Sequence, residues 1–277
     1  MKKRLLTLLL CGVMAFGISA CGGGTSSNSG GSGEEKVYVK ESEFDELFTN
    51  PDQFKGKYVI LTGQLLDAPE KNGSTVTLQA WYDTKNYSQN FIVYTNETDE
   101  SFSSNDYIIV DGIVDGELKG ENYFGEEVTA PLITDAKVTK STYKDVVAPT
   151  VSEILPNATA EQKGFTVSVE KVEYSDVETR VYMTVANNTN ESISFGAYDI
   201  KILLDNKQIN IDNASSSMYD GNYPELSYDI AAGASTSGVL VFPIIEQGKD
   251  FQIIVPDIFS DNYEEEFSDM KIDISTK

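Results

Sequence analysis

Along most of the chain after residue 57, apolar residues recur at every second position in short runs broken by Gly, Pro, Asn and Asp. That period puts one side of each run in a core and the other in water, the pattern of half-buried strands. Five runs come early: Tyr58 to Leu66, Thr75 to Tyr82, Asn90 to Thr95, Asp106 to Val114 and Val128 to Val138. Pro131 in the last of these suits an edge or a bulge, because it cannot donate to a ladder. The helical stretch of this half is Ser42 to Thr49. Phe44, Leu47 and Phe48 recur there at helical spacing, Ser42 is placed to cap, and Asn50-Pro51 stops it.

The later half reads as strand throughout. Phe165, Val167, Val169 and Val172 open it. Val181, Met183 and Val185 then face one way, and Tyr182, Thr184 and Ala186 the other. Asp199 to Lys207, Gly233 to Pro243 and Asp250 to Pro256 follow, and roughly seven short strands with frequent turns suggest a two-sheet sandwich. Between the halves, Val146 to Asn157 holds Pro149 and Pro156 with little periodicity. The expectation is an all-β chain: a small barrel with one short helix over 35–146, a linker over 147–158 and a sandwich over 159–277. Each half carries its own alternation, so each is expected to fold as a unit.

The N-terminus differs from the rest. Met1-Lys2-Lys3-Arg4 precedes an apolar run from Leu5 to Ala20, the layout of a secretory signal and too short to span a bilayer comfortably. Ile18-Ser19-Ala20-Cys21 resembles the lipobox of bacterial lipoproteins. The resemblance implies that 1–20 is removed and that Cys21 carries a thioether-linked diacylglycerol. The protein is then anchored to the cell membrane on its extracytoplasmic face. The Gly/Ser/Asn stretch that follows, within 21–34, has almost nothing to bury and reads as a flexible tether. Cys11 leaves with the signal, so a mature monomer has no cysteine pair for a disulfide.

Two further resemblances bear on fold. The short helix and five strands, with Asn50-Pro51-Asp52-Gln53-Phe54-Lys55-Gly56-Lys57-Tyr58-Val59, Gly112, and Asn122-Tyr123-Phe124-Gly125 leading to Pro131-Leu132-Ile133, resemble bacterial extracytoplasmic OB-fold domains. Val181 to Asn188, the turn Ala232-Gly233-Ala234-Ser235 and Ser237 to Pro243 resemble the telokin-like, immunoglobulin-like extracellular domain of many Gram-positive lipoproteins, a family of unknown function. That likeness implies fold and location and brings no catalytic site with it.

Composition narrows the chemistry. The chain has no histidine, which removes the commonest general base and transition-metal ligand together. Ser-His and Cys-His sites are excluded, and zinc sites of Cys and His with them. Ser-x-x-Lys spacing occurs at Ser141/Lys144, Ser168/Lys171 and Ser268/Lys271, and Ser260-Asp261-Asn262 matches a companion motif, but the Lys-Thr-Gly partner is absent. The carboxylate clusters Glu97, Asp99, Glu100, Asp106 and Glu264, Glu265, Glu266, Asp269 could gather oxygen ligands for calcium. Neither has the spaced calcium-loop pattern, and both read first as solvated charge. We therefore expect no catalytic residues, no metal and no cofactor.

Net charge is −23, and residues 34–150 carry 10 Lys+Arg against 22 Asp+Glu. Such a surface repels phosphate polymers, so nucleic acid is not an expected partner. Aromatic residues are the remaining candidates. Trp81, Tyr82, Tyr87, Phe91 and Tyr94 fall on or between the second and third strands, where OB-like barrels present ligands. Alternation allows Trp81 or Tyr82 to face outward, not both. Tyr219, Tyr223 and Tyr228 could form a contact surface in the second half. The expected function is a non-enzymatic binding or adaptor module for a protein or a cell-envelope glycan. The alternatives are an oligonucleotide-binding protein and a carboxylate-dependent hydrolase.

Overall fold

Strand β1 (Tyr58–Leu65) buries Val59, Leu61 and Leu65 and leaves Ile60 and Thr62 on its other side, as its alternation requires. It belongs to a computed structural model that describes residues 36–96, 101–121, 127–212, 220–262 and 266–276. The expected signal, Cys21 and the tether lie outside the described residues, as do Glu97, Asp99, Glu100, Asn122 to Gly125, Tyr219, Glu264 and Glu265. The chain is mostly strand, an all-β protein with short helical turns.

After β1 come β2 (Glu70–Asn72), β3 (Thr75–Asp83), β4 (Ser88–Thr95), β5 (Tyr107–Glu121) and β6 (Glu127–Ser141). β1 pairs with β5 and, at its far end, with β3. β3 pairs with β4, β4 runs parallel to β6, and β6 returns to β5. The ring β1-β3-β4-β6-β5 is therefore closed. Gly63 makes the closure possible: a Cβ there would lie 2.7 Å from the Trp81 carbonyl oxygen and 3.0 Å from the Phe91 ring.

The barrel is filled by Val59, Leu61, Leu78, Phe91, Val93, Ile108, Val110 and Ile133. Helix α1 (Phe44–Thr49) covers one end, with Leu47 fully buried. Ser42 does not cap it. A 3-10 turn over Glu41–Glu43 precedes the helix, and the Glu43 carboxylate accepts from Lys40 N at 3.0 Å. Pro131 sits opposite Glu117, just past an irregularity in the β5–β6 register, where a missing donor is tolerated.

The second half contains β7 (Ser152–Ile154), β8 (Ala158–Gln162), β9 (Phe165–Tyr174), β10 (Thr179–Asn187), β11 (Ile193–Ser194), β12 (Lys201–Leu204), β13 (Lys207–Asn210), β14 (Asp229–Ile230), β15 (Ser235–Phe242), β16 (Phe251–Val255), β17 (Phe259–Ser260) and β18 (Met270–Ile274). One sheet runs β15-β10-β9-β7 with β8 also on β9, and a second runs β13-β12-β16-β18. Val167, Val169, Val181, Met183, Phe242, Ile253 and Ile272 close the core between them. The Tyr174 hydroxyl is buried there without a hydrogen-bond partner among the described residues.

The stretch expected as a linker, 147–158, is structured instead. Helix α2 (Tyr143–Val146) starts with Thr142 Oγ1 accepting from Asp145 N. Ala148 is fully buried, and β7 pairs with the end of β9. Low periodicity hid this because the segment uses single contacts and no repeating face. Among the described residues no helix is long and apolar enough to cross a membrane.

Candidate functional site

The β3–β4 hairpin carries the first wall of a cleft. Asp83 ends β3 and accepts from Lys85 N (3.2 Å), Asn86 N (3.1 Å), Asn86 Nδ2 (2.7 Å) and Ser88 Oγ (2.9 Å). These bonds, that from the Asn86 side chain foremost, hold its carboxyl below the usual range. The tied turn projects Tyr87 into solvent, 63% exposed. Gln89 Nε2 donates to Asp45 Oδ1 at 3.1 Å and pins the hairpin to α1. Tyr82 packs edge-on to Phe44 (5.5 Å between ring centres) and against Phe48 (5.2 Å).

The opposite wall comes from α2 and the sandwich. Tyr107, at the start of β5, meets Tyr143 of α2 edge-to-face at 6.0 Å. With Ala148, these rings form a small satellite core against which Val146, Val147 and Tyr223 pack. The β9–β10 turn is held by Ser175, whose Oγ donates to Glu178 O and accepts from Glu178 N. It thereby presents Asp176 and Val177. Ile244, beyond β15, stands 59% exposed. Together these walls enclose a cleft of about 910 Å³ lined by Tyr82, Tyr87, Tyr107, Tyr143, Val177 and Ile244 among others. Ligand sites commonly reach this size. A second, enclosed apolar pocket beside Ala197, Ile211 and Leu240 offers about 30 Å³, room for about one water.

Next to the cleft lies a buried charged network. Arg180, fully buried on β10, donates from Nε to Glu173 Oε2 (2.9 Å). Its Nη1 donates to Glu178 Oε1 (2.8 Å) and to the Ala148 carbonyl (2.8 Å), and its Nη2 to Thr150 Oγ1 (2.9 Å). Glu173 also accepts from Lys144 (2.9 Å), Lys171 (2.6 Å) and Tyr182 (2.9 Å). Burial alone would raise the Glu173 carboxyl, but hydrogen bonds from Lys171, Lys144, Tyr182 and Arg180 outweigh it and hold it at about 2. Burial opposes the charge on Arg180 as well, and the bonds to Glu178 and Glu173 more than restore it. Tyr223 is pushed up by burial and by its bond to Glu178. The network joins the 148–150 segment to the outer side of the β9–β10 sheet.

The five expected aromatic residues divide three ways. Tyr82 and Tyr87 line the cleft. Trp81, opposite Asn90 and Gln64, and Tyr94, opposite Thr77, are half-buried on strand positions whose neighbours Ala80, Phe91 and Val93 point into the barrel. Phe91 leaves the candidate face altogether: it is fully buried in the barrel, because its phase along β4 matches Val93 and Thr95. Alternation separates Trp81 from Tyr82.

The lysines of two Ser-x-x-Lys pairs, Lys144 and Lys171, bond Glu173, while Ser168 bonds Thr159. Ser268, of the third pair, accepts from Gln162. Asp106 pairs with Lys140 and accepts from Ser103 N. Among the described residues no three His, Cys, Asp or Glu side chains come together as metal ligands. Tyr223 is drawn into the Arg180 network, while Tyr228 is exposed.

Sequence reading missed the second wall and the network. One signal for the network was present: apart from Arg4, Arg180 is the chain's only arginine, set between Thr179 and Val181 at the start of a strand run.

Residues 157–265 match a family described as a domain of unknown function, DUF4352. No curated protein matches the chain. A solved structure described as a functionally unknown protein from Listeria monocytogenes EGD-e aligns at 15% identity with a TM-score of 0.33, over 47% of this chain and 88% of that one.

Proposed function

We propose that this chain is a non-enzymatic binding module, held on the extracytoplasmic face of the cell membrane by a lipid on Cys21, which takes a protein or a cell-envelope glycan into the cleft. The observation that carries this reading is the set of exposed apolar side chains gathered at the cleft. Tyr87, Val177 and Ile244 are 63%, 40% and 59% exposed, come from three separate segments and meet around one concavity. Large apolar side chains left in water and gathered in a hollow mark a contact site more often than a packing accident.

The architecture supports the same reading. A closed five-stranded ring with strands out of chain order fits an OB-like Greek-key barrel, whose mouth and loops commonly hold ligands. Two sheets packed face to face fit an immunoglobulin-like sandwich. Fold likeness alone does not choose a ligand. The acidic lining counts against oligonucleotides.

Two experiments test the proposal. Mass spectrometry of the mature N-terminus is expected to find acylated Cys21, and a product that begins elsewhere would refute the anchor. Envelope extracts passed over the immobilised protein and over its Tyr87→Ala/Ile244→Ser variant are expected to yield a component that only the parent retains. Identical retention by both would remove the cleft as the binding site.

A further inference from the structure

Of the charged side chains that line the cleft, five are carboxylates (Glu41, Asp83, Asp145, Asp176 and Asp220) and one is an ammonium group, Lys85. Asp83 is occupied by its own turn and Asp145 by the Thr142 hydroxyl. Glu41, Asp176 and Asp220 form no ion pair with a described lysine or arginine. Lys144, Lys171 and Arg180 are committed to Glu173 and Glu178. The cleft's own phenols register the excess of negative charge. Burial and then Asp220 raise Tyr107, while burial, Glu41 and Asp45 raise Tyr82.

An occupant of this cleft must satisfy two demands at once. Ionised carboxylates only accept hydrogen bonds, so whatever covers them has to bring donors, and a ligand without donors would desolvate them without compensation. Cationic donors give shorter and stronger bonds to carboxylates than neutral ones. The rim, meanwhile, offers Tyr87, Val177 and Ile244 as apolar surface, with the Tyr87 ring also available to a cation. A polyphosphate fails the first demand, and a sugar chain meets it only with neutral hydroxyls.

We propose that the cleft receives a cationic segment of a partner protein, with lysine or arginine side chains among Glu41, Asp176 and Asp220 and apolar side chains against Tyr87, Val177 and Ile244. This rests on the reading of the cleft as the ligand site and names the class of ligand. Long-range attraction between such a segment and an acidic protein also speeds encounter, so the interaction is salt-sensitive.

The test uses the full chain and three probes: a fluorescein-labelled Lys-Leu hexapeptide, its Glu-Leu counterpart and a neutral N-acetylglucosamine hexamer. Fluorescence anisotropy is expected to show binding of the Lys-Leu probe at low salt that weakens as salt is raised, with no binding of the Glu-Leu probe. Asp176→Asn/Asp220→Asn is expected to weaken the Lys-Leu probe about tenfold or more and to flatten the salt dependence. Tyr87→Ala is expected to weaken it at all salt concentrations, and Asp229→Asn, away from the cleft, to leave it unchanged. All four positions are exposed, and circular dichroism checks the fold.

Absence of Lys-Leu binding, or binding indifferent to the cleft variants, overturns the proposal. If the hexasaccharide binds instead and Tyr87→Ala abolishes it, the cleft reading stands and the cationic class falls. If no probe responds to any cleft variant, both fall.

Discussion

Arg180→Met tests whether the junction between barrel and sandwich is held by charge. Methionine keeps much of the length and volume, so the main loss is the guanidinium. The two carboxylates that face it are affected unequally. Glu173 keeps Lys144, Lys171 and the Tyr182 hydroxyl. Glu178, also buried, is left with the Tyr223 hydroxyl at 2.8 Å and loses its cation. Removing one partner from a buried ion pair costs about 3–5 kcal/mol, mostly because the other charge is stranded.

The variant is therefore expected to lose about 3–5 kcal/mol in urea unfolding at neutral pH. Adding Glu178→Gln removes the stranded charge and is expected to recover about 1–3 kcal/mol, even though a second native side chain has gone. Unfolding is followed by far-ultraviolet circular dichroism and by fluorescence of Trp81, the only tryptophan, which reports on β3 of the barrel. A loss under about 1 kcal/mol for Arg180→Met would refute the reasoning, and so would a double variant no more stable than the single one. If the Trp81 transition stays in place while the dichroism transition moves, the two halves unfold separately and the network stabilises the sandwich alone.

Three further outcomes follow from single features. Tyr174→Phe deletes a buried hydroxyl with no partner among the described residues and is expected to raise stability by about 1 kcal/mol; a measured loss would mean that the hydroxyl has a partner in solution. Gly112→Ala places a Cβ 2.6 Å from Ile133 Cγ2, 2.8 Å from Ala136 Cβ and 3.0 Å from the Thr134 carbonyl, and is expected to lower the urea midpoint by about 1–3 kcal/mol equivalent, a neutral result showing that β5 and β6 can separate freely. The Glu173 carboxyl is held at about 2 against an ordinary 4.5, so its stabilisation is complete above 4.5 and is lost as pH falls through about 2. That is about 3 kcal/mol across the window, and in a urea-midpoint series from pH 5 to 2 the slope is expected to shrink in Glu173→Gln.

Local alternation made most of the strands legible and very little of how they join. Val181, Met183 and Val185 face the sandwich core, and Tyr182 faces away, because strand period is set by the backbone alone. β5 runs on to Glu121, beyond the expected Val114, because register shifts on either side of Ile113 break the alternation without ending the pairing. β8 left no mark, since Ala158-Thr159-Ala160-Glu161-Gln162 has no large apolar residue to reveal a face. The parallel pairing of β4 with β6 and the contact of β1 with β3 are long-range choices. The second depends on Gly63 allowing close approach to Trp81, which a pattern of apolar positions does not encode.

The candidate site was half legible for the same reason. Tyr82 and Tyr87 stood out as aromatic residues around a hairpin, and that hairpin does form one wall of the cleft. Asp176, Val177 and Ile244 come from turns about 90 to 160 positions further on, and nothing in their own neighbourhoods distinguishes them from ordinary loop residues. What brings them opposite Tyr87 is the junction: Ala148 and Thr150 are bonded to Arg180, Lys144 is bonded to Glu173, and Tyr143 is packed on Tyr107. The stretch that looked emptiest in the sequence is therefore the one that builds the cleft. A linker of low periodicity between two well-patterned halves is better searched for the polar groups it could satisfy in its neighbours than set aside as a spacer. Here the lone arginine of the second half, flanked by strand residues and needing buried acceptors, was the residue to follow.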